Sequence, residues 1–280
     1  MGKDMRFSII IVCLNAGERL GATIESVLAQ SYQDYEIVLK DGGSTDGSVE
    51  EISQKVRDAR LYIYQKKDSG IYDAMNQAVE LAGGDYFIFM NAGDSFYDDK
   101  VLEKISSVIS KRKHTPDIIY GNLYHKGLST VIHAAPEIND FVCYRNVPCH
   151  QSCFYSRGMF LERAYYPMYT VRADYEHFLW CYYEKKADIC YAPVIVAAYE
   201  GGGYSETKEN KRRSAKQHRE ITVLYMGKRA AGKYRLIMLL SLAPLRTAVA
   251  NNKYLSGGYN WLKGLFYKKN EDLPKMEDEK

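Results

Sequence analysis

Mainly apolar stretches alternate with stretches of helical spacing through the first hundred residues of the chain. The apolar stretches lie at residues 7–14, 35–39, 61–64 and 86–90. Their length is typical of strands that are buried on both faces of a sheet. Between them, apolar residues recur at helical spacing over residues 20–28, from residue 48, and over residues 71–82. Strands separated by such helices pair in parallel, so the pattern predicts a doubly wound α/β fold, with a mainly parallel central sheet flanked by helices.

The second hundred residues have a less regular pattern. Strands are predicted at 118–123, 129–133 and 189–199, a loop region at 136–156, and a helix from Asp174 to Glu184. We expect one principal domain, residues 1–206, made of two halves, 1–100 and 101–206. A basic amphipathic helical extension, 207–270, and an acidic tail, 271–280, complete the predicted organisation.

Polar and small residues follow each strand predicted in the first half. They occupy positions 15–18, 41–46, 65–70 and 91–94. Ligands of such folds bind beyond the carboxyl ends of the strands, so we predict that these four segments surround one site. Asn15 is also a candidate N-cap for the helix that follows the first strand.

The segment Asp-Gly-Gly-Ser-Thr-Asp-Gly-Ser, residues 41–48, places a carboxylate at a strand end with glycines directly after it. The glycines allow backbone N–H groups to approach a ligand closely, and Asp41 could accept hydrogen bonds from a nucleobase or a ribose. The alternative is a turn whose Ser44 or Asp46 caps the next helix. The segment differs from the dinucleotide-binding fingerprint, because its acid precedes the glycines.

Two longer segments carry a family resemblance. They are FSIIIVCLNAGERLGATIESVLAQSYQDYEIVLKDGGSTDGS, residues 7–48, and KDSGIYDAMNQAVELAGGDYFIFMNAGD, residues 67–94. Both resemble the nucleotide-binding half of family 2 inverting glycosyltransferases of the GT-A fold. The resemblance is dense over residues 6–100 and looser to about residue 206. It implies a GT-A catalytic domain in which residues 1–100 bind a nucleotide-sugar donor and residues 101–206 form the acceptor half.

The same resemblance assigns donor contacts to the loop residues, with a UDP-linked sugar as the expected donor. Asn15 and Glu18 would lie along the nucleotide, and Asp41 would contact the base. The implied donor-binding set is Asn15, Glu18, Asp41, Gly43, Lys67, Asp68, Gly70, Asp73, Asn91 and Gly93. Asp73 has an alternative role, which is to support the first turn of its helix.

Asn91-Ala92-Gly93-Asp94 stands where the family carries its acidic metal motif. A divalent cation, Mn²⁺ or Mg²⁺, stabilises the charge of a leaving diphosphate, and Asp94 is its expected ligand. Asn91 replaces the usual first acid, and it could bind the ribose or a metal-bound water. That replacement leaves the affinity for metal open. A simple turn at the strand end is the alternative role for Asp94.

The segment Arg-Ala-Asp-Tyr-Glu, residues 172–176, resembles the family's acidic motif that supplies the catalytic base. Inversion at an anomeric carbon requires a base that takes the proton of the acceptor hydroxyl. Ala173 replaces the first acid of the motif, so Asp174 is the expected base. Glu176 would point elsewhere on a helix, since residues two apart do not share a face. A helix N-cap is the alternative role for Asp174.

Four weaker candidates complete the predicted site. His150 and Gln151 resemble the family's His-Gln segment and could contact the acceptor or the diphosphate, although a plain buried histidine is an equal alternative. Ser205 in a glycine-serine loop and Arg212 in the basic cluster after it would lie near the diphosphate, or on a solvated helix face. Zinc at Cys149 and Cys153 is disfavoured, because no paired Cys-x-x-Cys accompanies them.

Composition and charge bear on location. The chain of 280 residues is 46% hydrophobic and 26% charged, and it holds no apolar run of the roughly 20 residues that span a membrane. Six scattered cysteines are typical of reduced thiols in the cytoplasm, and the first apolar run is interpreted as a strand, not a secretory signal.

The net charge of +3 conceals an uneven distribution. Residues 1–206 carry 28 acidic against 21 basic side chains, whereas residues 207–270 carry 2 against 15. Apolar residues are interleaved with this basic charge, which predicts peripheral attachment to the inner face of the cytoplasmic membrane. The alternative is packing on the catalytic domain or on a second subunit of a homodimer. Nucleic acid is not an expected partner, because no binding module accompanies the charge.

These observations predict a metal-assisted inverting glycosyltransferase. It would transfer a sugar from a nucleotide to a glycan or lipid-linked acceptor in bacterial surface polysaccharide biosynthesis, similar to enzymes of colanic-acid clusters. A sugar nucleotidyltransferase is one alternative, although residues 15–19 lack a glycine-rich basic phosphate loop. A catalytically inactive scaffold protein that binds nucleotide sugars is another, suggested by Asn91 and Ala173.

Overall fold

The computed structural model of the protein describes residues 6–201 and 207–241. The chain divides into two compact units, Met1–Tyr225 and Met226–Lys280. The sheet and the cavity described below belong to the first unit. The boundary expected after residue 206 stays a prediction.

Strands and helices alternate along the first unit. In chain order they are β1 (Phe7–Cys13), α1 (Arg19–Leu28), β2 (Tyr35–Asp41), α2 (Ser48–Lys55), β3 (Leu61–Gln65), α3 (Ile71–Val79), β4 (Tyr86–Asn91), β5 (Ser95–Phe96), α4 (Val101–Ser110), β6 (Ile118–His125), β7 (Thr130–Ile132), α5 (Asp140–Arg145), β8 (Cys153–Ser156), α6 (Arg157–Glu162), α7 (Ala173–Tyr183), β9 (Ile189–Tyr199) and α8 (Lys208–Leu240). Short 3₁₀ turns lie at Lys126–Leu128 and His150–Ser152. Helix α8 is interrupted at Gly227, whose φ of 79° is not helical.

All these strands belong to one sheet. Its order is β3-β2-β1-β4-β8-β6-β9-β5, with β7 paired to β6. The strands of the first half are parallel, and Phe7 of β1 lies opposite both Tyr35 of β2 and Tyr86 of β4. In the second half β6 and β9 are parallel, whereas β8 runs antiparallel between β4 and β6. The carboxyl ends of β1, β2, β3 and β4 therefore meet at one edge of the sheet.

The hydrophobic core lies on both faces of this sheet. Every residue of β1 and of β2 is buried, which accounts for the apolar runs at their centres, residues 9–12 and 37–39. Ile9 and Ile11 of β1 belong to a buried cluster with Leu20 and Ile24 of α1. Burial of such side chains stabilises the fold by roughly 1.5–3 kcal/mol each. Their packing fixes where the strand ends, and hence where the loops meet.

Two local predictions were wrong. Asn15 is not an N-cap: α1 begins at Arg19, and the Asn15 side chain instead accepts a hydrogen bond from the Thr45 backbone at 2.8 Å. The region 136–156, expected to be a loop, contains α5 and β8. These two elements are only four to six residues long, too short to show a periodic pattern.

Candidate active site

A cavity of about 410 Å³ lies at the carboxyl edge of the sheet. The ends of β1, β4 and β9 and the beginnings of α1 and α3 form its walls. The lining residues are Val12, Cys13, Leu14, Ala16, Arg19, Asp68, Gly70, Ile71, Ala74, Asn91, Ala92, Gly93, Asp94, Tyr199, Glu200 and Gly201. Three of the four predicted loop tips thus contribute to one cavity.

Asp41, on the fourth tip, is fully buried and does not line the cavity. Both of its carboxylate oxygens accept a hydrogen bond from the Ser44 backbone at 3.0 Å, and one accepts the Gln65 amide at 3.2 Å. The Asn15 backbone donates to the Ser44 hydroxyl at 2.8 Å, which ties the first loop to the second. Gly43 in this turn has a φ of 101°, which favours glycine. Asp41 thus organises the loop, and its contact with a base stays a prediction.

Other predicted donor residues also lie outside the cavity lining. Asn15, Glu18 and Lys67 are exposed to solvent on the loops around it. Asp73 accepts hydrogen bonds from the Ser69 backbone at 2.7 Å and from the Ser69 hydroxyl at 2.9 Å. The Ser69 backbone bond is the main cause that lowers the pKa of Asp73. Asp73 therefore supports the first turn of α3.

Lys40 is a buried cation that sequence reasoning missed. Its ammonium donates to Asp68 Oδ2 at 2.8 Å, to the Lys66 carbonyl at 2.6 Å and to the Asp41 carbonyl at 3.0 Å. The Lys40 side chain is not exposed at all, and that of Asp68 is 12% exposed. Lys40 thereby holds Asp68 at the cavity wall. The signal that could have identified it is a lysine that directly follows the apolar run 37–39 of a buried strand.

The turn from Asn91 to Asp94 is held from two sides. The Thr23 hydroxyl accepts the Gly93 backbone N–H at 2.8 Å and donates to the Asp94 carbonyl at 2.7 Å. The Gln151 amide donates to Asp94 Oδ2 at 3.1 Å. Burial raises the pKa of Asp94, and the hydrogen bond from Gln151 opposes that shift only in part. A buried acid of this kind is stabilised as a carboxylate by a nearby cation.

The chemistry of the residues in this turn fits a divalent cation. Asn91 Oδ1 is buried and accepts no hydrogen bond from the described residues. The charged side chains lining the cavity are Arg19, Asp68, Asp94 and Glu200, so acids outnumber cations. Within residues 6–201 and 207–241 no three His, Cys, Asp or Glu side chains cluster as a metal cage. A cation here would depend on Asp94 together with phosphate and water oxygens.

Asp174 lies in the first turn of α7, and its side chain is 26% exposed. The Tyr72 hydroxyl donates to Oδ1 at 2.7 Å, and His150 Nδ1 lies 3.1 Å from Oδ2. Burial raises the pKa of Asp174, whereas the hydrogen bonds from His150 and Tyr72 lower it, and the net shift is downward. Asp174 is therefore an ionised carboxylate at neutral pH, able to accept a proton. Arg172, not Asp174, is the N-cap residue of α7.

Glu176 faces away from Asp174, as the helical spacing predicts. Its side chain is fully buried and pairs with Arg163 and with the Tyr225 hydroxyl. This pair packs α7 against α8 within the first unit. Glu176 is therefore committed to structural contacts.

The consecutive residues His150 and Gln151 connect Asp174, the candidate base, to Asp94, the candidate metal ligand. His150 contacts Asp174 through Nδ1, and its Nε2 lies 3.3 Å from Asn91 Nδ2. Gln151 donates to Asp94. The segment that was only a weak candidate in the sequence thus joins both acids in one network.

The remaining predicted residues lie apart from this network or cannot be placed. Ser205 lies outside the described residues. Arg212 is exposed on α8, and no hydrogen bond or ion pair joins it to another described residue. Sequence reasoning missed Arg19 and Glu200, which flank Gly93: a Cβ on Gly93 would lie 3.5 Å from Arg19 Cδ and 3.0 Å from Glu200 Oε2. Their positions could have identified them, because Arg19 begins α1 and Glu200 directly follows β9, and both positions lie at the edge of the sheet where the ligand site was predicted.

Comparison with known sequences identifies relatives over most of the chain. The model of the family Glycosyl transferase family 2 matches residues 8–166. A PGL/p-HBAD biosynthesis glycosyltransferase of Mycobacterium bovis strain BCG is 36% identical over 210 residues, 73% of this chain and 81% of that protein. The Escherichia coli protein WfaP, a UDP-Glc:alpha-D-GlcNAc-diphosphoundecaprenol beta-1,3-glucosyltransferase, is 30% identical over 148 residues, 51% of this chain and 57% of WfaP.

Solved structures share the fold at low sequence identity. S. aureus TarS 1–349 in complex with UDP-GlcNAc superposes with a TM-score of 0.63 at 16% identity, covering 79% of this chain and 72% of that one. The mannosyltransferase PcManGT from Pyrobaculum calidifontis, in complex with GDP-Man and Mn²⁺, superposes with a TM-score of 0.62 at 14% identity, covering 92% and 84%. These similarities confirm the predicted α/β GT-A fold with its C-terminal helix. Because the family model matches more than half of the chain, the chain belongs to glycosyl transferase family 2 and is a glycosyltransferase.

Proposed function

We propose that the protein transfers a sugar with inversion from a UDP-linked donor to a glycan or lipid-linked acceptor in bacterial surface polysaccharide or glycolipid assembly. The observation that carries this proposal is the network in which His150 and Gln151 join Asp174 to Asp94. An ionised base and a diphosphate site within one network are what an inverting transfer requires. The names of the M. bovis and E. coli relatives support the pathway and the UDP donor.

Asp174 acts as the general base. Its carboxylate takes the proton of the acceptor hydroxyl as that oxygen forms a bond to C1 of the donor sugar. The bond from C1 to the diphosphate oxygen breaks on the opposite side of the ring, so the configuration at C1 is inverted. The lowered pKa keeps Asp174 ionised at neutral pH, and Tyr72 and His150 hold each oxygen in place.

Asp94 would hold Mn²⁺ or Mg²⁺, and the cation would supply positive charge to the departing diphosphate. Asn91 Oδ1 offers a free acceptor for a ribose hydroxyl or a metal-bound water. Arg19 contributes the guanidinium at the cavity wall. The structure of PcManGT in complex with GDP-Man and Mn²⁺ supports metal use in this fold.

The donor nucleotide would occupy the cavity lined by Asp68, Gly70 and Gly93. A uracil contact with Asp41 would replace the bond that Gln65 now donates to that carboxylate. The remaining donor contacts are assigned to the exposed residues Asn15, Glu18, Gly43 and Lys67 and to the partly buried Asp73, and diphosphate contacts to Ser205 and Arg212. The UDP-GlcNAc complex of TarS supports a UDP donor.

The C-terminal extension would attach the enzyme to the inner face of the cytoplasmic membrane. Helix α8 ends with Leu236, Leu239 and Leu240 more than half exposed, and Lys233 and Arg235 are exposed beside them. Apolar side chains next to cations suit an anionic lipid surface. No helix in residues 6–201 or 207–241 is long and apolar enough to cross a bilayer. Co-sedimentation of the full chain with anionic and neutral vesicles tests this attachment, and a homodimer without vesicle binding would replace it.

Release of UDP tests the catalytic proposal. The full-length protein is incubated with UDP-sugars, Mn²⁺ and a lipid-diphosphate sugar acceptor. We expect Asp94→Ala and Asp174→Asn each to lower the turnover by about 10²–10⁴-fold. Asp34→Asn is the matched control, because Asp34 is exposed and its side chain makes no hydrogen bond or ion pair with a described residue.

Two other outcomes would replace the proposal. Exchange of pyrophosphate into UTP would make the protein a sugar nucleotidyltransferase. The protein would instead be a scaffold if it bound UDP-sugars but released no UDP with any acceptor, so that the wild type and Asp174→Asn had the same lack of turnover.

A further inference from the structure

The imidazole of His150 lies between two side chains of different chemistry. Its Nδ1 is 3.1 Å from Asp174 Oδ2, and its Nε2 is 3.3 Å from Asn91 Nδ2. The His150 side chain is only 13% exposed, so both ring nitrogens face the protein. The two neighbours therefore decide where the ring proton resides.

The chemistry of these neighbours permits one neutral form of the ring. An ionised carboxylate only accepts hydrogen bonds, so Nδ1 must carry a proton to contact Asp174. An amide nitrogen only donates, so Nε2 must present its lone pair to Asn91. The neutral imidazole with its proton on Nδ1 satisfies both contacts at once.

We propose that Asn91 fixes His150 in this Nδ1–H form, and that His150 so fixed is a positioning residue for the Asp174 carboxylate. This inference rests on the proposed role of Asp174 as the base. Oδ1 of Asp174 is held by the Tyr72 hydroxyl and Oδ2 by His150, so the carboxylate cannot rotate freely. Each oxygen retains a lone pair that can accept the proton of the acceptor hydroxyl.

The proposal gives a physical reason for asparagine in place of the first acid of the metal motif. An aspartate at position 91 would offer His150 no donor, so Nε2 would have to donate to it. The ring would then either hold its one proton on Nε2 and leave Asp174 Oδ2 without a donor, or take a second proton. The amide avoids both outcomes and still directs a free Oδ1 away from the imidazole.

Nitrogen NMR of the full-length protein with ¹⁵N-labelled histidine tests the proton position without any need for turnover. The signals of His150 are those that disappear in His150→Asn. At neutral pH we expect Nδ1 to be protonated and Nε2 to be unprotonated in the wild type. In Asn91→Asp we expect Nε2 to be protonated. A neutral wild-type ring with its proton on Nε2, or spectra that are the same in both proteins, would overturn the assignment.

Kinetics of two substitutions at position 150 test the positioning role. The amide of His150→Asn can donate from near the Nδ1 position, whereas that of His150→Gln reaches the Nε2 position. We expect His150→Asn to retain a turnover number about tenfold above that of His150→Gln, with KM for the UDP-sugar within about twofold of the wild type in both. Equal turnover numbers would refute the role, as would losses confined to the donor KM.

The failure of this inference can be distinguished from the failure of the proposed function. Full activity of Asp174→Asn would remove the base, and with it the positioning role. The NMR spectrum would still decide the position of the proton. An inactive Asp174→Asn, combined with a wild-type proton on Nε2, would refute the inference and leave the transferase proposal intact.

Discussion

Replacement of Lys40 by methionine tests how the cavity wall is held. Methionine keeps most of the length of the side chain but removes the ammonium, whose three donors are all used, by Asp68 and two backbone carbonyls. Asp68, only 12% exposed, would lose its counter-ion, and the carbonyls of Lys66 and Asp41 would lose a donor. The loop between β3 and α3 would then be held less firmly against β2.

The expected loss of stability follows from this burial. Removal of one partner from a buried ion pair destabilises a protein by about 3–5 kcal/mol. For a unit of this size, that loss corresponds to a fall in Tm of about 6–20 °C, at about 2–4 °C per kcal/mol. Lys55→Met is the matched control, because Lys55 pairs with Glu51 on the surface with exposed fractions of 71% and 54%. Such a surface pair contributes at most about 1 kcal/mol.

Urea and thermal unfolding, followed by circular dichroism, measure both variants. A double variant, Lys40→Met with Asp68→Asn, removes the uncompensated charge, and we expect it to be more stable than Lys40→Met alone. If Lys40→Met were no less stable than Lys55→Met, or if the second substitution destabilised further, the ion pair would not be what holds the loop.

Four further predictions address the cavity, the pH dependence, the backbone and the metal. Arg19→Gln should weaken UDP binding by about 1–2 kcal/mol, roughly 5- to 30-fold, and leave uridine binding nearly unchanged, as measured by calorimetry. The reason is that Arg19 lines the cavity proposed for the donor, where its guanidinium would pair with the diphosphate. Burial lowers the pKa of His177 from its ordinary value of 6.5 to about 3, so between these two pH values the unfolded state binds a proton that the folded state does not. The free energy of unfolding should therefore fall by about 1.4 kcal/mol per pH unit as the pH drops below 6.5. Urea unfolding of His177→Gln should show a shallower fall. Gly121→Ala should destabilise the protein by about 1–3 kcal/mol, because the new Cβ would lie 2.4 Å from the backbone carbonyl oxygen of Val194. In the same unfolding assay Gly158→Ala should stabilise it by about 0.5–1 kcal/mol, because the new Cβ on α6 would meet no atom within 4 Å. Chelation with EDTA should abolish UDP release without a measurable change in Tm, and Mn²⁺ should restore the activity; a large fall in Tm would mean that the metal is structural.

The parallel half of the fold could be predicted because its strands are buried on both faces. Every residue of β1 and of β2 is buried, and the centres of such strands, here residues 9–12 and 37–39, are apolar runs that are visible in the sequence. The antiparallel insertion of β8 between β4 and β6 has no comparable signal. Cys153–Ser156 is four residues long and follows an irregular segment, so tertiary pairing alone defines it as a strand.

The candidate site was predictable where a motif lies at a strand end and not where its partners come from distant segments. Asp94 follows β4 directly, and the topology then places it at the cavity. Tyr72, by contrast, reaches Asp174 from 102 residues away in the sequence. Neither residue type nor spacing along the chain encodes that contact, because it depends on how α3 packs on α7. The same reason hid Glu200, which reaches Gly93 from the end of β9.

The segment from Cys149 to Cys153 contains a single 3₁₀ turn, His150–Ser152, which orients both His150 and Gln151. Hydrogen bonds within the segment hold this turn: the Ser152 hydroxyl and the Cys153 thiol both donate to the Cys149 carbonyl, at 2.9 Å and 3.2 Å. The pKa of the Cys149 thiol is raised, so the thiol stays protonated and donates to Gln151 Oε1 at 2.6 Å. With its oxygen so engaged, the Gln151 amide can direct only its N–H₂ toward Asp94. The Cys149 thiol, the Gln151 amide and the Asp94 carboxylate therefore form one chain of hydrogen bonds, which fixes the orientation of Gln151 beside the candidate metal ligand.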